Sequence, residues 1–287
     1  MNILQRGLFP TLFICLFLLS GISASAHTLD LHSGKIVSLD TMVDDLLQSR
    51  VVFIGELHDH PAHHLAQLQI IQALHNRGAK IAVAMEMFRH DSQQALNAWV
   101  DGSLNEQEFL PIYLDNWSMW PLYRPIFIFS RNVHIPMVGL NLDRRITSQV
   151  ARSGFNSLSP QERSEVPQVQ CDVSQAYQEF IRKMLGEHAH AMSDVSFMNF
   201  CEAQMVWDEV MADNLVDYVK NHPKTIVVVL AGSGHAWKYG IPEQFKRKGE
   251  TNFRVILPEI PERIDEQHVG PHEADYLLEG VDLGPIH

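Results

Sequence analysis

Short apolar runs recur along the chain and are separated by segments with helical patterning. Almost every position in these runs is apolar, which is typical of strands covered by helices on both faces of a sheet. A fifth run at 253–257 stops at Pro258 and predicts an additional edge strand. The four principal runs span 51–54, 81–85, 135–140 and 225–230.

Helical spacing is clearest between His64 and Arg77, where apolar residues recur every three or four positions before Gly78. Strands that alternate with helices predict an α/β fold, with a parallel or mixed sheet flanked by helices and right-handed crossovers. The segment 155–222 lacks a strong strand and is predicted to be a helical insertion before the last core strand. Further helices are predicted around 92–101, 121–132, 143–153, 172–185 and 197–220.

The chain divides into three predicted parts. Residues 1–26 resemble a cleavable signal peptide, because Arg6 is followed by an apolar run and then by Ala24-Ser25-Ala26. An uncleaved membrane anchor is the alternative. Residues 27–262 are predicted to form one α/β domain, and residues 263–287 an irregular C-terminal tail. Cleavage after Ala26 predicts export to the periplasm.

Composition excludes some classes of function. The formal charge is −12 and no basic cluster is present, which argues against binding to nucleic acid. After cleavage two cysteines remain, Cys171 and Cys201, and the sequence leaves open whether they form a disulfide or stay as buried thiols. No Cys-x-x-Cys pair is present, so zinc-ribbon and thioredoxin-like proteins are excluded.

Polar side chains follow the apolar runs at the point where each predicted strand ends. Ligands bind beyond the carboxyl ends of parallel strands, so these side chains are expected to share one site. Imidazoles and carboxylates together suit a divalent metal or general acid–base chemistry. The metal-ligand candidates are Glu56, His58, Glu86 and His235, and the two histidines end Gly-x-x-His turns that begin at Gly55 and Gly232.

Two other segments have open interpretations. Residues 113–123 contain four aromatic side chains and are predicted either to form the wall of a pocket or to fold onto the core as a loop. The polar turn 186–192 contains His188 and His190, which either reach over the strand ends or face solvent.

Several motifs in one order resemble the ChaN family of haem-binding, iron-regulated lipoproteins. The likeness extends from about residue 35 to 260. The motifs are Gly55-Glu56-Leu57-His58 with His64, Glu86-Met87-Phe88, Trp117 and Tyr123, Gly139-Leu140-Asn141, Asp208-Glu209-Val210-Met211-Ala212, and Ala231-Gly232-Ser233-Gly234-His235-Ala236.

The resemblance implies a periplasmic or outer-membrane-associated protein of haem or iron uptake or storage, with haem held between two subunits of a homodimer. It also implies that a tyrosine ligates the iron and that outer-membrane haem uptake machinery is a partner. Tyr123 is the first candidate for the ligand and Tyr177 the second. His64, His188 and Arg144 are the candidates for other haem contacts. The chain lacks the lipobox that is usual in the family, because Phe13-Ile14 precedes Cys15.

A metal-dependent hydrolase or protease is the competing hypothesis. The resemblance extends to a superfamily that includes the Tiki metalloproteases and the erythromycin-esterase-like hydrolases. In that hypothesis the four Glu and His candidates hold a divalent metal ion that activates water. A haem protein that also retains a metal site is compatible with both patterns.

Overall fold

The computed structural model describes residues 26–166 and 168–287, and the strands in these ranges form one mixed eight-stranded sheet. The order across the sheet is β2-β1-β8-β7-β3-β6-β4-β5. All neighbours from β8 to β5 are parallel, whereas β1 is antiparallel to both β2 and β8. The strands are β1 His27–Asp30, β2 Lys35–Val37, β3 Val51–Glu56, β4 Ile81–Arg89, β5 Met137–Asn141, β6 Ile226–Gly232, β7 Phe253–Pro258 and β8 Tyr276–Glu279.

Helices cover both faces of this sheet, which confirms the predicted fold class. The segment 155–222 is helical in large part and precedes β6, as predicted. The helices are α1 Leu39–Leu46, α2 Pro61–Asn76, α3 Gln93–Asp101, α4 Glu106–Asn116, α5 Trp120–Asn132, α6 Arg144–Ser153, α7 Pro160–Glu165, α8 Gln175–Leu185, α9 Glu187–His190, α10 Asp194–Asn221, α11 Ser233–Ala236 and α12 Ile241–Arg247.

The central strands are buried on both faces because each face packs against its own helix layer. Val52 and Ile54 of β3 belong to a core shared with α1 to α5. Val51 and Phe53 of the same strand belong to a second core shared with α8, α10 and α12. A smaller cluster, which includes Ile146, packs α6 against α10. The uniform apolar runs of the sequence therefore reflect two cores, one on each side of the sheet.

The predicted edge strand and the predicted irregular tail are both corrected by the structure. Residues 253–257 belong to β7, which lies inside the sheet because the tail supplies β8 on its outer side. In β8, Leu277 is fully buried, and the strand pairs with both β7 and β1. The tail has only three consecutive apolar residues, Tyr276 to Leu278, which is too short a run to give a clear strand pattern.

One unpredicted helix, α4, contains Pro111 in its interior, a residue that normally argues against a helix. A capping box stabilises its start. The Asn105 side chain accepts hydrogen bonds from the backbone N–H of Gln107 and Glu108, and the Glu108 carboxylate accepts one from the N–H of Asn105. Such reciprocal caps satisfy backbone donors that the first turn leaves unpaired.

The predicted signal peptide lies outside the described residues apart from Ala26, which forms a bridge with Ile286. In the ranges that the structure covers, no helix has the length and apolar character needed to cross a bilayer. Cys171 and Cys201 are free thiols, with the Cys171 Sγ 3.6 Å from the backbone oxygen of Glu202.

We expect Leu277→Ala to lower the free energy of unfolding by about 2–5 kcal/mol, because it leaves a cavity where a fully buried side chain was packed. Leu283, in the same C-terminal region, is 58% exposed and provides the matched control. Leu283→Ala is expected to change stability by less than about 0.5 kcal/mol. Urea unfolding of both variants measures the difference. Equal effects would contradict the structural role of β8.

Candidate functional site

The carboxyl ends of four neighbouring strands bring the predicted polar residues together. Glu56 ends β3, Gly232 ends β6 and Asn141 ends β5, while Glu86 is the sixth of the nine residues of β4. Because β6 lies between β3 and β4, Glu56 and Glu86 approach from opposite sides of the Gly232 turn. This convergence is the arrangement that the sequence predicts for a ligand site in a parallel sheet.

A fully buried carboxylate, Glu56, organises the first half of the site. His58 Nδ1 donates to Glu56 Oε1 over 2.8 Å, and the Tyr123 hydroxyl donates to the same oxygen. Gln67 Nε2 donates to Oε2 over 2.8 Å, and His64 Nδ1 lies 3.3 Å from that oxygen. The carboxylate therefore has partners on both oxygens, which fixes the orientation of the His58 ring.

The electrostatics of this group favour an ionised Glu56. Burial alone would raise the pKa of Glu56, but hydrogen bonds and charge from His58 and His64 outweigh burial and lower the pKa to about 2. Burial alone would lower the pKa of His58, yet the carboxylates of Glu86 and Glu56 raise it above its ordinary value. The result is a buried, charge-assisted pair rather than a neutral acid.

A second group repeats the same order of tyrosine, carboxylate and imidazole. The Tyr177 hydroxyl donates to Asp208 Oδ2 over 2.6 Å, and His235 Nδ1 donates to Asp208 Oδ1 over 2.7 Å. Burial would lower the pKa of His235, but the carboxylates of Glu86 and Asp208 raise it to about 9. We call these two groups the Glu56 relay (Tyr123, Glu56, His58) and the Asp208 relay (Tyr177, Asp208, His235).

The two relays meet at Glu86. His58 Nε2 lies 3.8 Å from Glu86 Oε1, and His235 Nε2 lies 3.9 Å from the same atom. The other oxygen of Glu86 accepts a hydrogen bond from the Gly232 backbone N–H at 2.7 Å. Both imidazoles thus present their outer nitrogen to one carboxylate.

An open cavity of about 610 Å³ lies over His58, Glu86 and His235. Its sides include two indoles, one beside each imidazole. The Trp117 ring is 5.0 Å from the His58 ring and the Trp207 ring is 5.7 Å from the His235 ring, both edge to face. The cavity is therefore polar at its base and aromatic along part of its walls.

The predicted metal ligands are brought together, but they do not form a ready-made metal site. Glu56 is held behind His58, and its oxygens are occupied by hydrogen bonds. Within the two described ranges, no group of three or more His, Cys, Asp or Glu side chains is arranged to hold a metal ion. The divalent-metal role predicted for Glu56, His58, Glu86 and His235 has no preformed site.

The predicted haem contacts are distributed unevenly around the cavity. Tyr123, Tyr177 and His64 are buried and are not part of its lining, and the exposed His188 on α9 is also outside it. Arg144, at the start of α6, lies on the cavity wall. Burial and the neighbouring carboxylates raise the pKa of both phenols well above the ordinary value. Ligation of haem iron by either tyrosine stays a prediction, and it requires loss of the hydrogen bond to Glu56 or Asp208.

Three residues of the site were missed as functional candidates. Asp208 had a usable signal, since a single carboxylate interrupts an otherwise apolar face of the helix that contains Met205 and Met211. A fully buried carboxylate requires a partner, which here is His235. Gln67 and Trp207 had no such signal, because amides and indoles are common on half-buried helices.

Glycine is required at the end of β6. A Cβ atom on Gly232 would lie 3.0 Å from Cε1 and Nε2 of His58, whereas one on Gly234 would meet only Met184 at 3.9 Å. We expect Gly232→Ala to displace the His58 ring and to shift its imidazole signals in NMR spectra. Gly234→Ala, two residues away in the same turn, serves as the control and should leave those signals in place. Unchanged signals in both variants would contradict this packing.

Stability at low pH should depend on Glu56. Its pKa falls from the ordinary 4.5 to about 2 in the folded protein, so its contribution is complete above pH 4.5 and is lost as the pH falls toward 2. We expect Glu56→Gln to flatten the loss of unfolding free energy in this window, by up to about 1.4 kcal/mol per pH unit. Denaturant unfolding between pH 5 and 2 measures the slope, and Glu266→Gln, at an exposed position, is the control. Parallel curves for wild type and Glu56→Gln would contradict the assignment.

Comparison with solved structures shows similarity to known α/β proteins. ChaN of Campylobacter jejuni, solved in a study of cofacial haem binding, has a TM-score of 0.70 and 23% identity over 88% of this chain and 96% of that chain. This similarity shows the fold. An erythromycin esterase mutant in its open conformation has a TM-score of 0.48 and 14% identity, covering 82% of this chain and 77% of that one. The type III effector HopBA1 has a TM-score of 0.47 and 13% identity, covering 84% and 92%. No curated protein sequence matches the chain.

The family comparison covers the site itself. Residues 42–245 match the model of a family described as haem-binding uptake, Tiki superfamily, ChaN. This range is well over half of the chain and contains both relays and the cavity-lining Trp117 and Trp207. The predicted resemblance is confirmed, and this chain belongs to the ChaN family of haem-binding uptake proteins in the Tiki superfamily.

Proposed function

We propose that this protein binds haem in the periplasm as part of haem or iron uptake, and that haem occupies the cavity at the strand ends. The observation that carries the proposal is the cavity over His58 and His235, with Trp117 and Trp207 in its walls. Its volume of about 610 Å³ lies within the range of roughly 300–1,000 Å³ that is usual for ligand pockets. The location rests on the leader-like residues 1–26.

The chemistry of the walls suits a flat, largely apolar macrocycle with a polar edge. Indole rings provide broad apolar surfaces for such a ligand. The Nε1 atom of Trp117 is buried and has no hydrogen-bond partner in the described parts of the chain, so a shift of the indole would present this donor to a ligand. Leu114, which is 55% exposed, extends the apolar surface at the cavity.

The same proposal includes a homodimer, in which two copies of this chain pair around haem. Leu114 and the nearby Met119, which is 40% exposed, form an apolar margin beside Trp117. A second copy of the chain that packs on this margin would cover bound haem and remove these side chains from water. Delivery of haem to or from machinery at the outer membrane would then follow release from the paired form.

Titration of the mature protein with haemin tests the proposal. We expect saturable absorbance changes near one haem per subunit, and size-exclusion chromatography of the same samples reports whether haem pairs two chains. Trp117→Ala should weaken binding about tenfold, because it removes an aromatic wall. Ile36→Ala, at an exposed position on the edge strand β2 and outside the cavity lining, is the control. Absence of saturable binding in the wild type would refute the proposal.

The same titration addresses the axial ligand. A tyrosine ligand must be a phenolate, but the Tyr123 and Tyr177 hydroxyls donate to buried carboxylates. We expect Tyr123→Phe and Tyr177→Phe to retain saturable haemin binding, because neither side chain lines the cavity. Loss of the phenolate-to-iron charge-transfer band in one variant would instead identify that tyrosine as the ligand.

A further inference from the structure

The polar side chains around the cavity differ in how far their hydrogen-bonding capacity is already used. Near β4 and α4, the Arg89 guanidinium contacts Asp91 at 3.1 Å and Asp115 at 2.8 Å. Asn116 accepts from the Arg89 backbone N–H and donates to the Ile112 oxygen, both at 2.9 Å. These groups have little capacity left for a ligand.

Asn141, at the end of β5, has a hydrogen-bond partner on both atoms of its side-chain amide. Its Nδ2 donates to the backbone oxygen of Glu86 at 2.7 Å, and its Oδ1 accepts from the Leu142 N–H at 2.8 Å. Asn141 therefore connects β5 to β4 and is a structural part of the base rather than a group that awaits a ligand.

Three other lining side chains, Arg144, Ser148 and Gln204, have no side-chain hydrogen bond or ion pair to any residue in the described ranges. Arg144 and Ser148 lie four residues apart and share one face of α6. Gln204 lies on α10, and α6 packs against α10 through a small apolar cluster. We call these three residues the α6–α10 wall.

The carboxylates that line the cavity accept hydrogen bonds from other groups of the protein, whereas the Arg144 guanidinium has no carboxylate partner among the described residues. Asp115 pairs with Arg89, and Glu86 accepts from the Gly232 N–H. Asp143 caps α6 by accepting from the Arg145 N–H at 2.8 Å. Of the described lining cations, His58 and His235 face Glu86 and Arg89 pairs with Asp115, whereas Arg144 has no carboxylate partner within ion-pair distance. An anionic group that enters the cavity therefore finds an unpaired guanidinium on this wall.

The two walls originate from opposite faces of the sheet. Helices α4 and α5, which flank Trp117, pack on one core of the sheet, and α10 packs on the other. Each side carries an indole, Trp117 between α4 and α5 and Trp207 on α10. Among the described lining residues, however, the unpaired polar groups at the ends of flexible side chains, those of the α6–α10 wall, lie on the α10 side. This asymmetry fits a planar apolar body with acidic groups confined to one edge.

We infer that the α6–α10 wall is a carboxylate-binding subsite that receives the propionates of haem and so selects tetrapyrroles with free acids at one edge. This inference rests on the proposed haem function. Arg144 supplies a charge-assisted pair, and Ser148 and Gln204 supply neutral donors beside it. The macrocycle then lies toward Trp117, with its acidic edge against α6 and α10.

Haemin and its dimethyl ester separate recognition of the acids from recognition of the macrocycle. Absorbance and tryptophan fluorescence quenching of the mature protein report binding of each compound. We expect haemin to bind at least about tenfold more tightly than the ester, since the ester lacks the charged acceptors. Arg144→Ala should remove most of this preference by weakening haemin binding alone, and Arg144→Lys should restore part of it. Arg152→Ala, at an exposed arginine on the same helix outside the cavity, is the control.

The outcomes distinguish this inference from the proposed function. If the wild type binds both compounds equally, or if Arg144→Ala weakens both equally, the subsite is refuted while haem binding stands. If the wild type binds neither compound saturably, the proposed function itself fails. Gln204→Leu provides an independent check that leaves the charge of Arg144 intact, and an unchanged haemin preference in both Arg144→Ala and Gln204→Leu would also overturn the inference.

Discussion

The ionised carboxylate of Glu56, buried between the sheet and α2, constrains the rest of the site. An unpaired charge at this depth would be strongly destabilising, so the carboxylate requires polar partners on both oxygens. His58, His64, Gln67 and Tyr123 come from three different elements and all reach its two oxygens. The geometry of the cavity base follows from this requirement, because satisfying Glu56 leaves His58 with only its outer nitrogen free. In the Asp208 relay, Tyr177 and His235 contact a second buried carboxylate, but there burial outweighs the effect of these partners and raises the pKa of Asp208.

The sequence predicted the features that depend on repeated or strongly patterned residues. Strands buried on both faces give continuous apolar runs, and β3, β4 and β6 were recognised for that reason. The convergence of Glu56, Glu86 and His235 followed from the rule that parallel strands end at one edge. The family resemblance, drawn from ordered motifs, was confirmed over residues 42–245. These predictions needed no knowledge of how distant segments pair.

Other features depend on contacts that no local pattern records. Strand β8 is four residues long, and its existence depends on pairing with β7 and β1. Tyrosine is a suitable ligand for haem iron, which made Tyr123 and Tyr177 candidates. Only the folded structure shows that both hydroxyls donate to buried carboxylates. Arg144 was identified as a haem contact, whereas Ser148 and Gln204 became candidates only once α6 and α10 were seen to pack together. The chemical type of each residue can be taken from the sequence. The direction in which its side chain points depends on the fold.

The position of β8 also has a consequence for the order in which the domain is completed. The N-terminal hairpin of β1 and β2 reaches the main sheet only through β8, which lies about 250 residues later in the chain. Closing so long a loop is slow compared with forming local contacts. The first segment of the domain to leave the ribosome therefore has no place in the sheet until the last segment arrives. The sheet of a chain built in this way is complete only after the last residues of the domain have been synthesised.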